Sequence, residues 1–222
     1  MRALICGLLT LTLAAQAYPP AFPRPTAKKL METDRIVVWD IVWPNGQATP
    51  MHRHLHDQVG TYYQTGGRAI TTPDGATRQT TTPVGALSTT KMGTTHIEAG
   101  TTDPPLRAVF IEMKQQAPSG VPQVVSTIPS AFPRDGAKQL LDDERVTVWD
   151  CTWKPGVSGG SRYPRDTVVV WLADATLRVA PQREAASTEV VLPGVMKYYP
   201  RGSVERVEAV DGAPRAMIFA FK

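Results

Sequence analysis

The chain repeats itself, and the repeat limits what it can fold into. Ala21–Gly46, AFPRPTAKKLMETDRIVVWDIVWPNG, reads beside Ala131–Gly156, AFPRDGAKQLLDDERVTVWDCTWKPG, at an offset of 110 with 13 of 26 positions identical. Trp39/Trp149, Asp40/Asp150 and Trp43/Trp153 are among the identities. The match runs on with small gaps: Gly85 and Gly93 meet Gly194 and Gly202 at 109, and Arg107–Lys114 meets Arg215–Lys222 at 108. Two similar units in tandem follow, each of about 100 residues and large enough to hold its own core. All four histidines, His52, His54, His56 and His96, lie in the first copy and none in the second. A duplication that keeps its scaffold residues but loses every imidazole from one copy separates what a fold needs from what a site needs.

The ends and the join are read from composition. Arg2, the apolar run Ala3–Ala14 and Ala15-Gln16-Ala17 have the three-part pattern of a secretory signal peptide cleaved after Ala17. The run is too short for a membrane span, which needs about 20 apolar residues, and no other stretch of the chain has that character. Cys6 lies too early in the run for a lipoprotein site. The expected location is therefore the periplasm or the extracellular space. Gln115–Gln123, QQAPSGVPQ, reads as a linker. The expected division is a signal peptide at 1–17, a first domain at 18–116, a linker at 117–124 and a second domain at 125–222.

Removing Arg2 with the signal segment takes the formal charge from +4 to +3, and the basic residues are scattered rather than clustered. Nucleic-acid binding is unsupported on that ground. Cys151 would be the remaining cysteine, so no internal disulfide can form; a buried, inert thiol is expected.

Both copies read as β structure. Ile36–Trp39 and Val146–Trp149 are β-branched and aromatic, as are Val59–Tyr63, Thr167–Trp171, Ala108–Met113 and Ala216–Phe221. Pro-Asn-Gly, Thr-Gly-Gly, Pro-Asp-Gly and Lys-Pro-Gly punctuate them as turns. Ala27–Glu32 and Ala137–Glu144 are the stretches with helical character. Many short strands of this kind build sandwiches or barrels, here two of them side by side.

His52 and His54 are two residues apart, so on a strand they share a face. Neutral imidazoles are ligands for zinc, iron, copper, nickel and manganese. Gln58 follows after a turn and can offer a neutral amide oxygen; His96, in a later stretch, would have to come in from a neighbouring strand. Of Tyr62 and Tyr63, one must face inward. Arg53 and Arg107 are read as solvated arginines able to attract a carboxylate. The tryptophan pairs and Asp40/Asp150 persist in the histidine-free copy and are assigned to packing and to turn hydrogen bonds.

These residues resemble the motifs of the cupin superfamily. The first has the form G-x5-H-x-H-x3,4-E-x6-G, met here by Gly46, His52, His54, Gln58 and, one position late, Gly66. The second has the form G-x5-P-x-G-x2-H-x3-N, met by Gly93 and His96, with Lys91 in the proline position and Gly100 in place of the asparagine. The resemblance spans essentially the whole chain after residue 17, as a two-domain (bicupin) protein with a degenerate second cupin. It implies an all-β fold of two tandem jelly-roll barrels, the first holding one divalent metal ion (Fe, Mn, Ni, Zn or Cu) at its mouth. The implied ligands are His52, His54 and His96, with Gln58 where the family has glutamate. A neutral Gln58 leaves the metal its full charge, which favours an anionic partner and loosens metal binding. Asp57 should face away, and His56 falls at the rim. In the second copy the ligand positions are matched with Ser161, Tyr163, Val168 and Glu205, which make no transition-metal shell. That barrel is expected to cover the first or to mediate contact with a second copy of the chain. Three functions stay open at this level. They are a metal-dependent enzyme acting on a small oxygen-rich or carboxylate molecule, a non-catalytic binding or sensing module, and a purely structural protein.

Overall fold

A computed structural model describes residues 18–114, 126–154, 160–182 and 184–222. The expected signal peptide at 1–17 and the expected linker at 117–124 lie outside the described residues. Among those described there is no helix; the chain is all-β, with 18 strands in four sheets.

The first barrel contains β1 (Ala27–Glu32), β2 (Ile36–Trp43), β3 (His52–Arg53), β4 (Asp57–Gln64), β5 (Gly66–Thr71), β6 (Thr77–Thr82), β7 (Leu87–Thr90), β8 (Thr95–Gly100) and β9 (Leu106–Met113). The second repeats them as β10 (Ala137–Asp142), β11 (Val146–Thr152), β12 (Gly160–Arg162), β13 (Thr167–Trp171), β14 (Ala175–Pro181), β15 (Ser187–Val191), β16 (Met196–Tyr199), β17 (Val204–Gly212) and β18 (Arg215–Phe221). Each barrel pairs a five-stranded sheet with a four-stranded one. The orders are β1-β2-β9-β4-β7 with β3-β8-β5-β6, and β10-β11-β18-β13-β16 with β12-β17-β14-β15. The neighbours correspond strand for strand, so the repeat read in the sequence is a repeat of topology.

The long strands are apolar on both faces because both faces are covered. Along β2, Val37, Trp39, Ile41 and Trp43 point into the first barrel, while Ile36 and Val38 point out of it. β9 alternates likewise, with Ala108 and Phe110 inward and Val109, Ile111 and Met113 outward. The outward set meets Val146, Val148, Val168, Met217 and Phe219 of the second barrel in one shared core. The period-two alternation of a strand thus feeds an internal core and an inter-barrel core at once.

Two arginines cross this seam reciprocally. Arg35 donates to Asp166 at 2.7 Å and to the Lys222 carbonyl at 2.5 Å. Arg145, its repeat mate, donates to Asp57 at 3.1 Å and to the Met113 carbonyl at 2.7 Å. Asp57 also accepts from the Met92 amide and faces away from the barrel interior, as expected. Gly194 (φ +86°) lies against the Tyr63 ring across the seam, where a side chain would collide.

Two expectations are corrected and a third, on Cys151, is upheld. Ala27–Glu32 and Ala137–Asp142 are sheet-edge strands, not helices: β1 pairs with β2 and β10 with β11, each with a bulge between Lys29 and Met31 or Gln139 and Leu141. Their solvent-rich, edge-strand composition mimics a helix's polar face. Asp40 does not cap a turn; it accepts from Tyr63 at 2.5 Å and Arg107 at 3.2 Å, and Asp150 is bound by Arg215 at 2.7 Å. Both brace one strand against its neighbour. Cys151 is buried and free, and burial pushes its thiol up to about 11, so it is inert at neutral pH.

Candidate metal centre

The centre is built by a cross-strand pair and its neighbour. β3 and β8 run antiparallel in a register that sets His52 directly opposite His96. Residues opposed this way hold their side chains close together on one face. The His54 amide donates to the Thr94 carbonyl at 2.9 Å, which carries the pairing two residues further and turns His54 inward beside His52. The ring centroids are 5.4 Å (His52–His54), 4.8 Å (His52–His96) and 5.0 Å (His54–His96) apart. One nitrogen from each lies within 4.8 Å of the others, and all three residues are buried.

The protonation states suit ligation. His52 Nδ1 lies 3.0 Å from the Pro50 carbonyl, which can only accept, so the proton sits on Nδ1 and the lone pair on Nε2. That Nε2 is buried without a partner. His54 Nε2 and His96 Nε2 face one another at 3.3 Å. Burial lowers all three pKa values, those of His54 and His96 to about 4. The imidazoles are therefore neutral at neutral pH. Three convergent ring nitrogens, His52 Nε2 among them without a partner, fit a divalent ion.

The chamber behind them, about 340 Å³, contains groups that sequence reasoning missed. Glu98, two residues after His96 on β8, shares its face and is buried. Its carboxylate pairs with Arg68 at 2.5 Å and Arg24 at 2.8 Å, and lies 3.8 Å from His96 Nε2. Burial opposes ionisation of Glu98, but Arg68 and Arg24 outweigh it and hold the carboxyl below the usual range. Arg68 also donates to the Tyr62 hydroxyl at 2.8 Å, and its guanidinium lies over the Trp43 ring. Tyr62 is thus the inward tyrosine; Tyr63 lies in the inter-barrel core.

Gln58 is buried on β4 and lines the same chamber as His54 and His96, its amide nitrogen unpaired. His56 stands apart, half-buried and within electrostatic reach of Glu112. Arg53 is exposed, and Arg107 is tied to Asp40. Of the arginines lining the chamber, Arg24 and Arg68 have buried side chains, and Arg78 is exposed.

The second barrel fills the equivalent space. β12 and β17 place Ser161 opposite Glu205, the register of His52 and His96, and Tyr163 follows where His54 stands. Gln58 corresponds to Thr167, not Val168, since Gln58 pairs with Glu112 and Thr167 with Ala220. The one-residue difference moves the match from a strand's outer face to its inner face. Tyr163 stacks on Tyr199 at 3.9 Å between centroids; Tyr199 donates to Glu205 at 2.5 Å, and Lys197 to Glu205 at 2.9 Å. Arg68 and Glu98 are replaced there by Leu177 and Val207, both buried in the core. The contrast that exposed the histidines therefore extends to this ion pair, but it is readable only once the strand register is known.

No protein-family model and no curated protein matches the chain. Solved structures do. A cupin 2 conserved barrel domain protein from Leptotrichia buccalis superposes with a TM-score of 0.60 at 13% identity over 88% of each chain. The oxalate decarboxylase of Lactobacillus farciminis, in a formate complex, gives 0.55 at 12% identity over 86% of this chain and 77% of its own. The oxalate decarboxylase of Bacillus subtilis, with Mn(II) centres, gives 0.54 at 13% identity over 85% and 69%. The fold is the two-barrel cupin fold, with a three-histidine cluster in the first barrel.

Proposed function

We propose that the first barrel holds one divalent transition metal on His52, His54 and His96, with Gln58 as a neutral oxygen ligand, and acts on a small carboxylate. The observation that carries this reading is the convergence of three neutral imidazoles on a chamber that also contains two buried arginines. Arg24 and Arg68 bring two positive charges against the single negative charge of Glu98, which leaves one uncompensated beside the ligand set. In a buried chamber that excess attracts an anion far more strongly than it would in water. When bound, the metal would act as a Lewis acid toward a carboxylate or carbonyl oxygen. Around it, Arg24 and Arg68 orient the anion, while Tyr62, whose proton burial retains, stands on Arg68. The Mn(II) centres of the Bacillus subtilis oxalate decarboxylase support the ion class; the donor set itself admits Fe, Mn, Ni, Zn or Cu.

The test is metal content of untagged protein after incubation with each of these ions, against a His52→Ala/His54→Ala variant. Near-stoichiometric metal in the wild type and none in the variant is expected. The same negligible content in both overturns the reading. Turnover of a carboxylate panel by the loaded protein then marks an enzyme; saturable binding without turnover marks a sensing or carrier module instead.

The reading includes export, on the strength of the Arg2, Ala3–Ala14 and Ala15-Gln16-Ala17 pattern. N-terminal sequencing of the mature protein should begin at Tyr18; a retained Met1 removes this part.

A further inference from the structure

A cavity of about 660 Å³, larger than the histidine chamber, opens beside β11, β12 and β13 of the second barrel. Its apolar wall is Phe132 stacked on Trp149, with centroids 5.7 Å apart and planes 20° from parallel. Its charged wall carries Arg162 and Arg165. Arg165 donates to Thr147 at 3.2 Å, whereas the Arg162 guanidinium has no hydrogen bond or ion pair among the described residues, and its Nε is buried. Of the other charges at the rim, Arg35 holds Asp166, Lys222 holds Asp142 at 2.8 Å, and Arg201 is partnered as well.

The first barrel shows what is missing here. Trp39 Nε1 donates to the buried Glu112 carboxylate at 2.8 Å. Glu112 pairs with Val37 across β2 and β9; the matching pair across β11 and β18 is Thr147 and Ala220. The carboxylate has been cut back to a methyl group, and Ala220 lines the cavity. Trp149, 7% exposed, keeps the indole, but its Nε1 is buried with no partner. A buried donor without an acceptor is costly, and native structures rarely leave one so.

We propose that the second barrel binds a small organic anion. Its carboxylate takes the place Glu112 fills in the first copy, accepting from Trp149 Nε1 and Arg162, and its apolar body lies against Phe132. The site needs no metal and is independent of the reading of the first barrel. It gives the histidine-free barrel a ligand of its own rather than the role of a cover alone.

The experiment follows the indole N–H resonances of the ¹⁵N-labelled full chain, the Trp149 signal being assigned by its loss in Trp149→Phe. Benzoate should move that resonance downfield and saturate in the millimolar range. Benzamide, of the same shape without the charge, should leave it in place. Arg162→Gln should weaken benzoate by about tenfold, the loss of one charge-assisted hydrogen bond. Ala220→Glu, which restores the first copy's residue, should shift the resonance without ligand and abolish the response. A Trp149 signal that does not respond to benzoate, responds equally to benzamide, or still responds in Ala220→Glu overturns the proposal. If Ala220→Glu does not fold, an unchanged affinity in Arg162→Gln overturns it as well.

Discussion

At the scale of single residues, charge decides how the first barrel behaves. Gln58 lines the histidine chamber where a carboxylate would complete a charged ligand set. Gln58→Glu should tighten metal binding by at least about tenfold, roughly 1.4 kcal/mol, as read by competition with a chelator; unchanged affinity would place Gln58 outside the shell. Among the described residues, Glu98 is the counter-charge that Arg24 and Arg68 have in the chamber. Glu98→Gln leaves both arginines buried and uncompensated, and should cost about 3–5 kcal/mol in urea unfolding. The histidines set a pH window. Burial holds His54 and His96 to about 4 in the folded chain, against about 6.5 when unfolded. As pH falls below about 6.5 the unfolded chain takes up protons first, so metal-free protein loses stability between 6.5 and 4. The stabilisation is complete above that window. The loss is roughly 3 kcal/mol per imidazole at most, and a His54→Asn/His96→Asn variant should show a flatter profile. The imidazoles were legible because histidine is rare in this chain and confined to one copy. Arg24 was not, because its repeat mate Arg134 lies over Trp153 much as Arg24 lies over Trp43, so duplication marks it as scaffold.

At the scale of elements, β8 carries His96 and Glu98, and its end explains a departure from the cupin motif. Gly100 stands where the motif has asparagine, packed so closely on the backbone carbonyls of Trp43 and Pro44 that a Cβ would collide with them. Gly100→Asn should push β8 off β2 and cost about 1–3 kcal/mol, with weaker metal binding because His96 moves with the strand. Thermal unfolding and chelator competition would report the two effects; an unperturbed Tm would show that the end of β8 yields freely. The strands themselves were readable from β-branched runs, since a strand covered on both faces is apolar throughout. The edge strands were not. Their alternation is broken by a bulge and half their surface is solvated, so composition alone resembles a short helix. Glu98 escaped for a related reason: its partnership with Arg68 joins strands 30 residues apart, and register is a property of the pairing, not of either segment.

At the scale of the molecule, the two barrels share a core, so neither should melt alone. Phe219, fully buried in that shared core, belongs to the histidine-free copy. Phe219→Ala should cost about 3–5 kcal/mol and lower a single unfolding transition, with metal-site and tyrosine signals lost together. Two separated transitions would show that the seam does not couple the halves. The reciprocal crossing of Arg35 and Arg145 has a further consequence. In a symmetric pair of identical chains, any substitution at one mouth is imposed on the other. Written out twice in one polypeptide, the two mouths can diverge while the arginine clasp between them stays symmetrical, so one subunit can host two different chemistries without a new interface.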